Sequence, residues 1–307
     1  MNGERREAVM EAPGSSRPQS ALPRGEAVPL KVRGREVAEY VWRPQLPVYA
    51  SPRPFLHPVR TLDGSPVTEA CPSSHLHQLG ISMAAPDIEG RNFWGGRTFV
   101  AGHGPAWLDD HGVQQHQRWL RREDGRLRHL LHWFGADRAT LLRETRTLTF
   151  SAVTETAWVL GFGTRLTNAV GHALTVRSPA SQGRIGAGYG GFFWRGPSVD
   201  GPVRVLSPDG PGVAAVHGRT ADWVAVGAGG DRPWTVVFTP ADDTTAGDRW
   251  FVRARDYLGV GSSLTWDRPL TVEVGETIAR RLLVVVADGE LSEDEAAGFA
   301  DVARSAS

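Results

Sequence analysis

The sequence predicts an all-β protein, a large antiparallel β-sandwich with a short helix near its C-terminal end. Three observations predict this class. Many short segments alternate apolar and polar residues with a period of two, turn residues such as Pro208-Asp209-Gly210 separate them, and amphipathic helical periodicity is almost absent. Many strands at such short spacing are typical of sandwiches and barrels.

Each predicted strand rests on its own apolar pattern. In the clearest run, 142–150, one face carries an arginine and three threonines, and the other carries Leu142, Glu144, Arg146, Leu148 and Phe150. Further strands are predicted at 37–42, 127–134, 156–168, 172–177, 222–226, 234–239, 270–274 and 277–286. The one predicted helix begins where Ser292 and Glu295 form a capping box before an apolar-spaced run.

The N-terminal segment differs in composition from the rest of the chain. Residues 1–28 are rich in Pro, Gly, Ser, Arg and Glu, which predicts a disordered tail. Residues 29–307 are expected to form a single β-sandwich domain, since all-β domains can reach this size.

Charge and cysteine content exclude several classes of protein. The formal net charge is +0, so nothing favours a nucleic-acid or anionic-membrane partner. Cys71 is the only cysteine, which excludes an intrachain disulfide and a cysteine-rich zinc site. No run approaches the ~18 apolar residues that span a bilayer, and the N-terminus lacks the apolar core of a signal peptide. A cytoplasmic location is therefore expected.

Histidine is unevenly distributed along the chain. Of 10 histidines, 8 lie between His57 and His132. Because imidazole titrates near neutral pH and binds metals, this clustering favours acid–base chemistry or metal ligation. At its centre, His75 and His77 would point to one face of an extended strand and could bracket a substrate or share a metal. The alternative is a pair of imidazoles that bond to backbone carbonyls at a strand edge.

A second polar element follows at residues 107–116. It is predicted as a loop and combines Asp109, Asp110, His111 and His116, which could supply a further imidazole and a carboxylate. Asp-Asp-His-Gly is also ordinary turn chemistry, because Asp and Gly suit turns.

A charged pair is predicted inside the sandwich. Glu144 and Arg146 share the apolar face of their strand, and inward charges are rare unless they are functional or paired. The pair is therefore either part of the site or a buried ion pair that specifies strand register. With this carboxylate included, the catalytic candidates are His75, His77, His116 and Glu144.

The segment 91–97 has a composition suited to sugar recognition. An exposed tryptophan packs against the C–H face of a pyranose, while amide and guanidinium groups bond to hydroxyls. The candidate substrate contacts are His57, Arg60, Asn92, Trp94, Arg97 and His111. The literal G-x-G-x-x-G at 186–191 precedes a predicted strand instead of a helix, which argues against dinucleotide binding.

Six motifs together carry a family resemblance. They are Arg53-Pro54-Phe55-Leu56-His57-Pro58-Val59-Arg60-Thr61, Pro72-Ser73-Ser74-His75-Leu76-His77, Asn92-Phe93-Trp94-Gly95-Gly96, Leu108-Asp109-Asp110-His111-Gly112, Gly188-Tyr189-Gly190-Gly191-Phe192-Phe193-Trp194-Arg195 and Trp250-Phe251-Val252-Arg253. In these motifs, over roughly residues 30–290, the chain resembles the bacterial PmoA-like family, named after a methane monooxygenase subunit.

The resemblance implies a role in sugar metabolism and an association with sugar dehydrogenases of the Gfo/Idh/MocA type. Members typically carry a further histidine where this sequence has Gln78, which disfavours a three-histidine metal site here. The strand layout also resembles the galactose-mutarotase type of supersandwich. Enzymes of that architecture use a histidine and a carboxylate as acid and base on a sugar ring, although fold alone does not fix function.

Three functions follow as hypotheses. The favoured one is a carbohydrate-active enzyme that acts on a sugar or oxidised sugar derivative by histidine and carboxylate acid–base chemistry, in a hydrolysis, elimination or isomerisation. The second is a metal-dependent oxidoreductase of the PmoA-like family, with Fe or Zn held by His75, His77 and Asp110. The third is a non-catalytic sugar-binding accessory protein. No cofactor is firmly predicted, and a divalent metal is the alternative.

Overall fold

The computed structural model describes residues 25–306, which form twenty β-strands and three α-helices. The first ten strands are β1 (Gly25–Val32), β2 (Arg35–Pro44), β3 (Phe55–Val59), β4 (Ile81–Ala84), β5 (Asp87–Ile88), β6 (Thr98–Val100), β7 (Gly104–Ala106), β8 (Val113–Glu123), β9 (Arg126–Phe134) and β10 (Thr140–Ala152). The others are β11 (Ala157–Asn168), β12 (Leu174–Arg177), β13 (Gly191–Arg195), β14 (Val203–Leu206), β15 (Val224–Ala228), β16 (Trp234–Pro240), β17 (Arg249–Ala254), β18 (Leu258–Ser263), β19 (Leu270–Val272) and β20 (Thr277–Asp288). The helices are α1 (Val213–Val216), α2 (Asp243–Ala246) and α3 (Glu293–Ser305).

Two large antiparallel sheets form a sandwich. One has seven strands in the order β1-β2-β3-β4-β13-β18-β17, and the other has eight in the order β14-β15-β16-β20-β11-β10-β9-β8. A three-stranded sheet, β19-β12-β5, and the hairpin β6-β7 complete the fold. The predicted all-β antiparallel sandwich with a C-terminal helix is confirmed.

The core lies between the two sheets. Alternation buries one face of β10 and of β11, including Leu148, Phe150, Trp158 and Phe162, as the sequence predicts. The seven-stranded sheet contributes its own inward positions, among them Trp194. Apolar side chains that alternate along neighbouring antiparallel strands bury together, which is why the pattern alone placed most strands.

Helix α3 covers the outer face of the eight-stranded sheet. Its N-cap Ser292 accepts from the backbone N–H of Glu295, and the Glu295 carboxylate accepts from Ser292, so the predicted capping box is present. The buried stripe consists of three alanines, at 296, 300 and 303. Val302 lies outside this stripe and is 51% exposed.

The N-terminal boundary needs a correction. Strand β1 begins at Gly25 and pairs with β2 from its first residue, so residues 25–28 belong to the sheet and not to the predicted tail. Residues 1–24, the rest of that predicted tail, lie outside the described residues.

The outer face of the seven-stranded sheet bears the features that position the candidate site. Phe193 on β13 and Phe251 on β17 point away from the core and pack with Trp94. Tyr189 and Tyr257 cover this cluster from outside. A second, aromatic layer therefore lies on this face of the sheet, next to the segment that carries His75 and His77.

Candidate functional site

His75 and His77 lie in two consecutive turns, not on a strand. The N–H of His75 donates to the carbonyl of Pro72 at 2.8 Å, and the N–H of Gln78 donates to the carbonyl of His75 at 2.9 Å. The expectation of an extended strand is therefore wrong. Its physical reason is visible in Pro72-Ser73-Ser74, a run of residues that favour turns. Residues 72–78 are called the histidine turn below.

The turn nevertheless brings the two imidazoles together. Their ring centroids are 5.6 Å apart and the rings meet edge to face. His75 is exposed and shares a hydrogen bond of 2.9 Å between its Nδ1 and the hydroxyl of Ser74. His77 is half-buried, and among residues 25–306 its ring nitrogens have no hydrogen-bond partner. The pair thus combines an accessible imidazole with an unpartnered one.

A glycine turn at residues 94–96 supports His77 from beneath. Gly95 and Gly96 adopt φ values of +95° and +71°, and a Cβ on Gly96 would lie 2.6 Å from Cε1 of His77. Asn92 holds this turn, because its Oδ1 accepts from the N–H groups of Trp94 and Gly95 at 2.9 and 2.8 Å. The histidine ring therefore lies against a backbone surface that only glycine can provide.

Arg53 joins the glycine turn to the histidine turn. Its buried guanidinium donates to the carbonyl of Trp94 at 3.0 Å and to the carbonyl of His77 at 2.8 Å. It also reaches the carbonyls of Ala50 and Ser51. The sequence motif contained Arg53 but gave it no role, because its bonds to the carbonyls of Trp94 and His77, far along the chain, leave no local pattern.

His111 and Asp110 lie on the other side of the glycine turn. His111 Nε2–H donates to the carbonyl of Gly96 at 2.7 Å, and its Nδ1 is 3.7 Å from Oδ1 of Asp110. Asp110 accepts from the hydroxyl of Thr98 at 2.8 Å through its other oxygen. Burial raises the pKa of Asp110. His111 is buried, so it supports the glycine turn instead of presenting a surface for substrate.

Both histidines of the turn are held in the neutral form. Burial lowers the pKa of His77 to about 3, with contributions from Arg53 and from its neighbours His75 and His111. Burial, then the charge of Arg195, lowers the pKa of His75 as well. At neutral pH each ring therefore offers one N–H donor and one acceptor nitrogen.

Sequence reasoning missed a group of arginines and tyrosines beside the histidine turn. Arg195, at the end of β13, forms an ion pair of 2.8 Å with Glu69, and its guanidinium lies 5.0 Å from the ring centroid of Tyr257. Tyr189 packs on Trp94 with ring centroids 4.6 Å apart. The backbone N–H of Arg195 donates to the carbonyl of Gly80, two residues beyond the histidine turn, at 2.7 Å. The only signal was the motif 188–195, which carried the family resemblance and no assigned role.

The three predicted contacts of the sugar-recognition segment differ in burial: they are Asn92, Trp94 and Arg97. Trp94 is 6% exposed and packs on Phe193, so its expected exposure is wrong. Asn92 is buried and its amide is used within the glycine turn. Of the three, only Arg97 is exposed. The sugar-recognition segment therefore builds the floor of the site more than its binding surface.

His116 lies apart from the histidine turn. Its Nδ1 is 2.9 Å from Nδ1 of His129, whose Nε2 is 2.8 Å from the hydroxyl of Tyr40. The two imidazoles stack on each other where β2 approaches β8 and β9. Trp119 stacks on His129, and Trp42 meets His116 edge to face. The expected grouping of His116 with His75 and His77 is corrected by this placement.

Glu144 is also remote from the histidine turn. Its carboxylate is fully buried and accepts from Arg146 Nε at 2.7 Å and Nη2 at 2.8 Å. The indole of Trp133 and the hydroxyl of Thr164, each at 2.8 Å, satisfy it further. A carboxylate with four donors inside the core has no free lone pair facing a substrate. Of the two readings, the buried ion pair is the one that fits.

His57 lies on β3, and Arg60 follows the end of that strand. His57 Nδ1 is 3.0 Å from the hydroxyl of Thr68, and Arg60 donates to the carbonyl of Gly64 at 3.2 Å. Burial, then Arg60, lowers the pKa of His57 to about 4. Their contacts tie the end of β3 to the segment that follows it, and none of them reaches His75 or His77.

A metal site is not assembled from the predicted ligands. Within residues 25–306, no group of three or more His, Cys, Asp or Glu side chains is arranged to hold a metal ion. His75 and His77 are adjacent, but Asp110 faces Thr98 and His111 instead. The alternative ligand set of His75, His77 and Asp110 is therefore corrected.

Comparison with protein families decides membership. A family model described as "Family of unknown function (DUF6807)" matches residues 27–301. The chain belongs to the DUF6807 family. The predicted membership of the PmoA-like family is therefore wrong. An oxygenase-like activity and a Gfo/Idh/MocA dehydrogenase partner, which rested on that membership, lose their support.

Other comparisons add little to the DUF6807 assignment. No curated protein matches the sequence. Among solved structures, the chain is similar to one described as "Heparinase III-BT4657 gene product, Methylated Lysines", with a TM-score of 0.25 and 10% sequence identity. That similarity covers 59% of this chain and only 22% of the heparinase III chain, and at this level nothing about activity follows. None of the helices within residues 25–306 has the length and apolar character needed to cross a bilayer.

Proposed function

We propose that this DUF6807 protein is an enzyme that performs general acid–base chemistry on a sugar or oxidised sugar derivative at the histidine turn. One observation carries the proposal: an exposed imidazole, His75, lies beside a half-buried and unpartnered imidazole, His77, with ring centroids 5.6 Å apart. Because the ring of His77 makes no hydrogen bond within residues 25–306, its donor and its acceptor nitrogen are both available to a ligand.

The two histidines are suited to different tasks. His77, with a pKa of about 3, stays neutral and would offer a hydrogen bond without holding a proton. His75 is exposed, so a substrate can reach its ring, and a neutral imidazole can accept a proton at neutral pH. We therefore assign proton transfer to His75 and substrate hydrogen bonding to His77.

The neighbouring side chains favour a carbohydrate ligand. Tyr189 and Tyr257 are partly exposed on the same outer face, and burial raises the pKa of both, so their hydroxyls stay protonated at neutral pH. Partly exposed rings with hydroxyl donors suit a ligand that has C–H faces and many oxygens. Glu69, held by Arg195, supplies a carboxylate at the edge of this face.

The test is a substrate panel with matched histidine variants. Purified protein would be incubated with neutral hexosides, uronates, aldonates and lactones, with product formation followed by NMR and mass spectrometry. His75→Ala and His77→Ala would be compared with His132→Ala, a partly exposed histidine on β9 of the other sheet. We expect turnover by the wild type and His132→Ala and its loss in His75→Ala. Saturable sugar binding without turnover in any sample would instead identify a sugar-binding protein.

A further inference from the structure

Three arginines and two tyrosines form a continuous polar surface next to the histidine turn. This surface, the arginine–tyrosine face, consists of Arg184, Arg195, Arg253, Tyr189 and Tyr257. It lies on the outer side of the seven-stranded sheet, over β13, β18 and β17. The guanidinium of Arg195 lies 5.0 Å from the ring centroid of Tyr257. The rings of Tyr189 and Phe251 are 5.7 Å apart, and Arg253 lies over Phe251.

Two glycines of β18 create the space for this surface. The side chains of Leu258 and Val260 point into the core. Because side chains alternate along a strand, Gly259 and Gly261 face outward. A Cβ on Gly259 would lie 2.7 Å from Cε2 of Tyr257. The absence of side chains there lets Tyr257 lie across the sheet, within the field of all three arginines.

The positive charge of the face is only partly neutralised. Glu69 pairs with Arg195, but within residues 25–306 neither Arg184 nor Arg253 forms an ion pair with an acidic side chain. Asp256, close to Arg253 in sequence, forms none with it. Arg253 makes only a long contact of 3.4 Å to the carbonyl of Gly186 and lies over the ring of Phe251. Two guanidinium groups thus remain available to an anion.

The groups around these arginines would help to bind an anion. Burial raises the pKa of Tyr257 to about 12, so its hydroxyl is a neutral donor at neutral pH. Arg195 Nε is buried and has no partner among the described residues. Planar guanidinium groups match the geometry of a carboxylate through two parallel N–H bonds.

We propose that the arginine–tyrosine face is a subsite for the carboxylate of a sugar acid, such as a uronate or an aldonate. This inference deepens the proposed function. It rests on that function because the proposed function places the reacting carbon near His75. Contiguity supports it: the backbone N–H of Arg195 donates to the carbonyl of Gly80, just beyond the histidine turn, and Trp94 links Tyr189 to the glycine turn beneath His77. The substrate would thus be anionic, and neutral sugars would be poor ligands.

The test is a binding experiment on the full chain. Isothermal titration calorimetry with D-glucuronate, D-gluconate, D-glucose and D-glucose 6-phosphate would compare the wild type with Arg253→Gln and Arg184→Gln. Arg143→Gln, an exposed arginine on β10 of the other sheet, is the matched control. Melting curves would verify that each variant is folded, and Arg184, being exposed, can be changed with little risk to the fold.

We expect a carboxylate sugar to bind at least tenfold more tightly than glucose, and Arg253→Gln and Arg184→Gln to remove most of that preference. Added salt should weaken sugar-acid binding and leave glucose binding unchanged. Equal affinity for glucuronate, gluconate and glucose, or variants that bind like Arg143→Gln, would overturn the subsite. Tightest binding by glucose 6-phosphate would overturn the carboxylate assignment.

The same samples separate this inference from the proposed function. His75→Ala should retain sugar-acid binding while losing turnover. Turnover that survives in His75→Ala, with sugar-acid binding intact, would refute the proposed function and leave the subsite standing. His75-dependent turnover of a neutral sugar, with no binding of sugar acids, would refute the subsite alone.

Discussion

The ring of His77 lies directly against the backbone of Gly96. A Cβ at Gly96 would stand 2.6 Å from Cε1 and 2.7 Å from Nδ1 of the imidazole, closer than real Cβ atoms approach. Gly96 also adopts a φ of +71°, which residues with a side chain seldom accept. The position of His77 therefore depends on a glycine at residue 96 for two independent reasons.

Gly96→Ala should displace His77 and lower turnover while the sandwich stays folded. The left-handed backbone alone costs about 1 kcal/mol, and the contact with His77 adds to it. Gly102→Ala is the matched control, because Gly102 has a φ of +76° and nothing within 4 Å of its added Cβ. Urea unfolding and turnover of both variants measure the difference. Equal losses in the two would contradict a role for the His77 contact.

Arg53→Lys should loosen the connection between the two turns. A lysine ammonium cannot reproduce a planar fork that donates to four carbonyls, and each buried carbonyl left without a donor costs about 1–3 kcal/mol. We expect a loss of about 2–4 kcal/mol in the free energy of unfolding, together with reduced turnover.

Arg43→Lys provides the comparison for that loss. Arg43 is exposed and pairs with the exposed Glu26, so its replacement should change stability by less than about 0.5 kcal/mol. If Arg53→Lys lost no more free energy of unfolding than Arg43→Lys, the hydrogen bonds of Arg53 would be dispensable for stability.

Stability should fall as the pH drops below about 6.5. Burial, then Arg53, holds the pKa of His77 at about 3, and burial, then Arg60, holds the pKa of His57 at about 4. The ordinary pKa of histidine is 6.5. Below that pH, these two histidines therefore bind protons in the unfolded chain but not yet in the folded one. Their contribution is therefore fully present above pH 6.5 and is lost as the pH falls towards 4.

Urea unfolding at pH 7, 6 and 5 measures this loss. Each of the two histidines contributes at most about 1.4 kcal/mol per pH unit in that window, less because both are partly exposed. His77→Asn should show a shallower decline than the wild type. A decline parallel to that of the wild type would mean that His77 titrates normally in the folded protein.

Arg146→Met should destabilise the fold and leave the chemistry of the folded molecules intact. The change leaves the fully buried Glu144 carboxylate without its cationic partner, and breaking such a pair costs about 3–5 kcal/mol in the free energy of unfolding. The neighbouring Arg143→Met, on the exposed side of the same strand, should cost little. Turnover per folded molecule should stay near the wild-type value. If Arg146→Met lost turnover while its stability stayed unchanged, Glu144 would again be a candidate catalytic residue.

The strands were largely predictable because alternation is a local signal. The inward set on β10 and the capping box of α3 follow from residues two or three positions apart, and both are present. The start of β1 at Gly25 was missed because a Pro, Gly and Glu composition masks a strand whose stability comes from its pairing with β2. The short helices α1 and α2 leave no periodic signal, since four residues make only one turn.

The site was predictable in outline only. The pair His75 and His77 was found from spacing, although the wrong backbone was assigned, since turn and strand can both bring such rings together. Long-range contacts decided the rest: His116 bonds to His129, and Glu144 bonds to Arg146, each inside the core. Spacing along the chain cannot show which of several buried polar residues are already satisfied by each other.

The rate of His75→Ala tests the central claim most directly. With a substrate identified from the panel, kcat would be measured for the wild type, His75→Ala and the control His132→Ala, with melting curves to verify folding. A positioned acid or base contributes typically ~10²–10⁴ in rate, so we predict a loss of that size in His75→Ala and none in the control. Wild-type turnover in folded His75→Ala would contradict the account.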